Sequence, residues 1–83
     1  MSNAQTAKTF LDTLTAEESI HDLVDSYSGT SAITPDQFVT LDAAARRIDT
    51  ALETVFNPST QLEQDIATVQ GLLEPIIAAE TSA

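Results

Sequence analysis

The chain has no cysteine and no tryptophan, only two glycines, and three basic side chains against thirteen acidic ones. Each scarcity removes a class of explanation. Without cysteine there is no disulfide framework, no thiolate metal site and no thiol nucleophile, and the redox compartment is not indicated. Two glycines leave no phosphate-cradling loop and no nucleophile elbow. No basic segment leads into an apolar run, so the sequence reads as lacking a secretory signal. No apolar run escapes interruption by Asp, Glu or Pro for long enough to span a bilayer. The expected location is the cytoplasm, or a place within a larger particle.

The shortage of positive charge is the most lopsided feature. Formal net charge is −10 over 83 residues, Lys8 is the single lysine, and no basic residue follows Arg47. Such a surface repels nucleic acid and anionic membranes and favours basic partners. Arg46 and Arg47 form the only basic pair, and Asp42 and Asp49 stand four residues before and three after Arg46, so local helix pairing is the expected role of Arg46. Arg47 is free to reach a carboxylate across an interface with another chain.

What is present is helical periodicity. From Thr34 to Phe56 the apolar positions Phe38, Leu41, Ala45, Ile48, Leu52 and Val55 step by three and four without a break. Thr34, Pro35 and Gln37 form a strong helix start: an N-cap, a proline where its missing donor costs nothing, and the second half of a capping box. Asn57-Pro58 ends the run. A further seam follows at Leu62, Ile66, Val69, Leu73 and Ile76, opened by Ser59 or Thr60 with Glu63 as box partner. The short link predicts an antiparallel α-hairpin of about 34–57 and 59–79. Ala44 and Ala51 beside the first seam suit close backbone approach. Gly71 and Pro75 together predict a kink near 71–75 that re-aims Ile76 to Ala79.

Upstream, Phe10, Leu11 and Leu14 form one apolar cluster, and Ile20, Leu23, Val24 and Tyr27 another. They lie roughly 140° apart on a single helix, so one straight helix cannot bury both on one partner. The expected arrangement is an arm at about 5–13 and a helix at about 16–28, the latter opened by a Thr15/Glu18 capping box and closed by Gly29 in a left-handed conformation. Residues 1–5 and 80–83 are expected to be loose. The fold class is thus all-α, a small single-domain helical bundle over 1–83. A chain of this length buries only about 60% of its unfolded surface, so its stability is modest.

The chemistry-bearing residues are few. His21 is the only histidine and shares a helical stripe with Glu17 and Asp25, with Asp22 beside it. Three ligands down one helix rarely converge on one ion, so the stripe reads as a solvated acidic face and no metal ligand is assigned. Asp25 and Asp36 have the spacing of the first and last ligands of an EF-hand loop, but Tyr27, Gly29 and Thr30 fall where ligands and an obligatory glycine belong. The seven serines and twelve threonines have only His21 as an imidazole base. No catalytic residue and no cofactor are expected, and the chain reads as non-enzymatic.

Three functional readings follow. The first is an assembly or adaptor protein, self-associating or serving as an accessory subunit of a larger, for example viral, complex. Its expected contact residues are Phe10, Leu11, Leu14, Leu72, Leu73, Ile76 and Ile77, with Arg47. The second is a nucleic-acid mimic of the anti-restriction or anti-CRISPR type, presenting Asp42, Asp49, Glu53, Glu63, Asp65 and Glu74 to the basic groove of a DNA- or RNA-handling protein. The third is an antitoxin-like binder that docks through residues 1–14. All three call for a protein partner, itself or a larger complex, with no direct nucleic acid and no membrane.

Overall fold

The computed structural model describes residues 2–15, 17–53 and 60–82. They form four helices: α1 (Asn3–Thr13), α2 (Ile20–Asp25), α3 (Pro35–Glu53) and α4 (Thr60–Ser82). Among the described residues there is no strand, and the protein is a small all-α bundle.

α3 is the strut. Thr34 and Gln37 close the expected capping box: the Gln37 amide donates to Thr34 Oγ1 at 3.1 Å, and the Thr34 amide donates to Gln37 Oε1 at 2.8 Å. Leu41, Ala44, Ala45 and Ile48 are buried along it. α4 contributes Leu62, Val69, Leu73 and Ile76 to the same core, and the two helices pack against each other. Asp36, Gln37 and Thr40 line one groove with Thr68, Gly71 and Leu72, while Arg47 meets Asp65. The start of α3 therefore lies beside the later part of α4. The expected end of the second helix and the link to the third fall on 54–59, outside the described residues.

The two upstream clusters are out of phase, and the chain resolves this by breaking. α1 stops at Leu14, which caps it in a left-handed conformation (φ 56°), and α2 begins a few residues later. Ala4, Ala7 and Leu11 of α1 and Ile20, Leu23 and Val24 of α2 then face one core. α2 packs on α3, and α1 packs on both α4 and α2.

Several details of the helices go beyond the sequence reading or depart from it. Within the stretch expected to be loose, Ser2 caps α1 by accepting from the Gln5 amide, and Ala4 is buried. The Thr15/Glu18 box does not form; Thr15 Oγ1 instead pairs with Thr13 Oγ1, and Ser19 caps a shorter α2 by accepting from the Asp22 amide. Glu80, expected in a loose tail, lies within α4 and accepts from the Tyr27 hydroxyl, which itself accepts from the Ala4 amide at 2.8 Å. α4 continues through Gly71 and Pro75 as one helix, and Ile76 is buried in the same core as Val69 and Leu73. Gly71 and Pro75 are both exposed and one turn apart. The hydrogen bond that the proline forfeits thus falls on the solvent side, where water replaces it. Gly29 does take the expected left-handed conformation, at φ 83°.

Candidate functional site

Three places on the bundle gather polar chemistry or open space: the junction of α2 with α3, an ion pair between α3 and α4, and a groove near the start of α3.

At the α2–α3 junction, Asp49 is the central group. A six-residue helix begins with amides that have no partner within the helix. Asp49, reaching over from α3, accepts from the Ile20 amide at 2.7 Å, the His21 amide at 2.8 Å and the Ser19 hydroxyl at 2.6 Å. One carboxylate thus caps α2 from a different helix, with its negative charge at the end where the helix dipole favours it. Two turns earlier on α3, Asp42 points at the same short helix. Its Oδ2 accepts from Arg46 Nε at 3.1 Å, the pairing that the spacing predicted. Its Oδ1 stands 2.9 Å from His21 Nε2. Both of those atoms are shut off from solvent, and their alignment is not that of a hydrogen bond. Asp22 Oδ1 lies 3.6 Å from the other ring nitrogen, Nδ1. His21, Asp25 and Asp42 bring one ligand atom each to within 4.8 Å of one another.

Between α3 and α4, Arg47 donates to Asp65 through Nε at 3.0 Å and Nη2 at 2.8 Å, a two-pronged pairing of fork and carboxylate. Gln61 adds a third donor at 3.0 Å. The Asp65 side chain is only 4% exposed, so its charge depends on these partners. The Arg47 hydrogen bonds hold its carboxyl below the ordinary value of 3.8, outweighing burial, which pushes it up; Gln61 and the Arg47 charge act in the same direction as the Arg47 bonds. A carboxyl whose pKa falls on folding stabilises the protein above its unfolded value, and that stability is lost as pH falls through the folded value. We expect Asp65→Asn to be less stable than the wild type at neutral pH, with the gap closing on acidification below about pH 4, where an unfolded aspartate takes up its proton. Urea unfolding of both proteins from neutral to acid pH measures this, and a gap independent of pH would contradict it.

The third place is a groove of ≈ 410 Å³ lined by Asp36, Gln37 and Thr40 of α3 and by Thr68, Gly71 and Leu72 of α4. Gly71 leaves its wall open: a Cβ built there meets nothing within 4 Å. On the other side of the same α3 turns is a hollow of ≈ 310 Å³ bordered by Tyr27, Ile33, Phe38 and Val39. Val39 is 66% exposed, and with Leu14 at 44% it is one of two large apolar side chains left on the described surface.

The residues singled out from sequence divide accordingly. Leu11, Leu73 and Ile76, expected at a partner interface, are buried in the chain's own core. Their heptad positions serve the fold. Phe10, Leu72 and Ile77 are half-buried against that core, and Leu14 is exposed. Arg47, expected to reach another chain, is taken by Asp65 of its own. Of the six acidic-face residues, Asp42, Asp49 and Asp65 are held in internal contacts, whereas Glu53, Glu63 and Glu74 are exposed. Glu17 is exposed and lies outside the cluster around His21, and Asp42 from α3 completes that cluster. Sequence spacing could not reveal Asp42 as a neighbour of His21, because packing alone brings the two together. Val39 lies off the apolar stripe, so periodicity assigns it to no seam. That offset is itself the signal, since an apolar residue off the stripe has no core to enter. Among the described residues, no helix is long and apolar enough to cross a membrane. No protein-family model, characterised protein or solved structure matches the chain.

Proposed function

We propose that this chain is a non-enzymatic, acidic helical protein that works by docking on another protein through the start of α3 and the neighbouring face of α4. The observation that carries the reading is Val39. It is a large apolar side chain, 66% exposed, on a helix with a hollow on either side. An apolar anchor beside open concave surface is how docking sites are commonly built. The charge points to the kind of partner. Of the three basic side chains, Arg46 and Arg47 are engaged with Asp42 and Asp65, so a surface of net charge −10 attracts a basic segment and resists a second copy of itself. Assembly into a larger complex with a basic component fits this better than self-association. The nucleic-acid-mimic reading is weaker, because three of its six carboxylates already serve the fold.

The test uses two variants that leave the core alone. Gly71→Leu fills the groove where a side chain has room, and a helical glycine is about 1 kcal/mol less favourable than alanine, so the helix itself gains. Val39→Asp removes the apolar anchor. In affinity capture from the source cells, a basic partner should be retained at low salt, released at high salt, and lost with either variant. A partner retained equally by wild type and both variants would place the contact elsewhere. Sedimentation of the purified chain separates the remaining case, because association of like-charged copies strengthens as salt is added.

A further inference from the structure

We infer that His21, Asp25 and Asp42 form a binding site for a zinc-class divalent cation that clasps α2 to α3, independently of the groove described above. The site has one imidazole nitrogen and two carboxylates, drawn from two helices, with a ligand atom of each within 4.8 Å of the others. An imidazole with two carboxylates and an open fourth position suits zinc and its neighbours better than calcium or magnesium, which take oxygen ligands alone.

A second, separate observation is the pair of atoms facing each other in the site. His21 Nε2 and Asp42 Oδ1 are both cut off from solvent, stand 2.9 Å apart, and make no hydrogen bond. The separation is that of an ion pair, and a cation between the two would hold both atoms. With metal–ligand distances of about 2.0–2.2 Å, neighbouring ligands of a tetrahedral zinc stand about 3.3 Å apart, so this pair is nearly at bridging distance already. Asp25 is exposed, and its carboxylate already lies within 4.8 Å of the other two ligand atoms.

The surroundings fit as well. A metal-bound Nε2 carries no proton, which places the imidazole proton on Nδ1; the carboxylate of Asp22 stands 3.6 Å from that nitrogen and would have to move closer to hold it. A carboxylate behind a ligating histidine is the usual way in which its tautomer is fixed. Arg46 holds the far oxygen of Asp42 and leaves Oδ1 aimed at His21. Arg46 is also the one cation in the cluster and opposes a metal there. Against it stand Asp22, Asp25 and Asp42, with Asp49 bonded to the His21 amide. With a neutral imidazole, the two ligating carboxylates balance the charge of a divalent ion. A domain of this size without disulfides also gains much from a metal staple.

The experiment is a titration of the full chain with Zn²⁺ by calorimetry, with thermal unfolding followed in Zn²⁺ and in Ca²⁺. We expect one zinc per chain, a midpoint raised by roughly 5–10 °C at saturation, and no comparable shift with calcium. Asp25→Asn should unfold like the wild type without metal and bind zinc at least about tenfold more weakly, while His21→Ala should lose the site. A zinc shift matched by calcium, or retained in Asp25→Asn, would mean diffuse attraction to an acidic surface and would overturn the assignment, as would no shift at all. If His21→Ala does not fold, Asp25→Asn alone decides.

Discussion

Asp49→Ala is expected to destabilise the protein by about 3 kcal/mol, more than any other surface-accessible substitution in the bundle. The reason lies in the shortness of α2. Six residues cannot sustain a helix in water, because nucleation is unfavourable and too few bonds follow it. α2 exists because its apolar face packs on α3 and its first amides have an acceptor there. Removing the Asp49 carboxylate strands the Ile20 and His21 amides and the Ser19 hydroxyl together. Each donor left without an acceptor costs about 1–3 kcal/mol, and partial access to water limits the sum. Natural domains are stable by only about 5–15 kcal/mol, and a small one lies near the bottom of that range, so the loss is a large share of the total. Asp49→Asn keeps an oxygen acceptor and should lose about half as much. Urea unfolding measures both, and hydrogen exchange across 20–25 should quicken before the rest of the bundle opens. Glu53→Ala, exposed on the same helix, is the control and should stay within about 0.5 kcal/mol of wild type. Equal effects for Asp49 and Glu53 would contradict the capping role.

The second large effect is expected at Leu73. It is fully buried, in one core with Leu41, Ile48, Val69 and Ile76. Leu73→Ala removes buried methyl groups and leaves a cavity, which costs about 2–5 kcal/mol, or a fall in midpoint of roughly 15 °C for a chain of this length. Leu72→Ala next to it removes a half-buried side chain and should cost clearly less. Val39→Ala should be nearly neutral for stability. This ordering separates side chains that hold the fold from those free to meet a partner. If Leu73→Ala proved harmless, the end of α4 would be a surface in solution, and its apolar residues would return to the list of contacts.

Much of the fold was legible because it is written in local, periodic signals. The seam of α3 placed Leu41, Ala45 and Ile48 in the core, and the seam of α4 placed Leu62, Val69, Leu73 and Ile76 there. The Thr34/Gln37 capping box fixed where α3 begins. The phase break between Phe10–Leu14 and Ile20–Tyr27 places a boundary between two elements, but the first, expected as an arm, is the helix α1, and the second, expected over about 16–28, is the shorter α2. What stayed hidden depends on contacts distant in sequence. Asp49 caps a helix some thirty residues upstream, Arg47 finds Asp65 across α3 and α4, and His21 meets Asp42. In the sequence each of these carboxylates looks like surface charge, since nothing local distinguishes an aspartate that binds a distant amide from one that faces water. The same limit explains Leu73 and Ile76. An apolar residue at heptad spacing looks alike whether its partner is the next helix of its own chain or another protein.

The proposed mode of action is docking of a basic partner on the start of α3 and the adjoining face of α4. Hydrogen exchange of the chain, alone and with its captured partner, tests that most directly. Exchange should slow on binding at 36–40 and 68–72, the two stretches that line the groove, with α1 little changed. Protection confined to α1, or spread evenly over every helix, would contradict it.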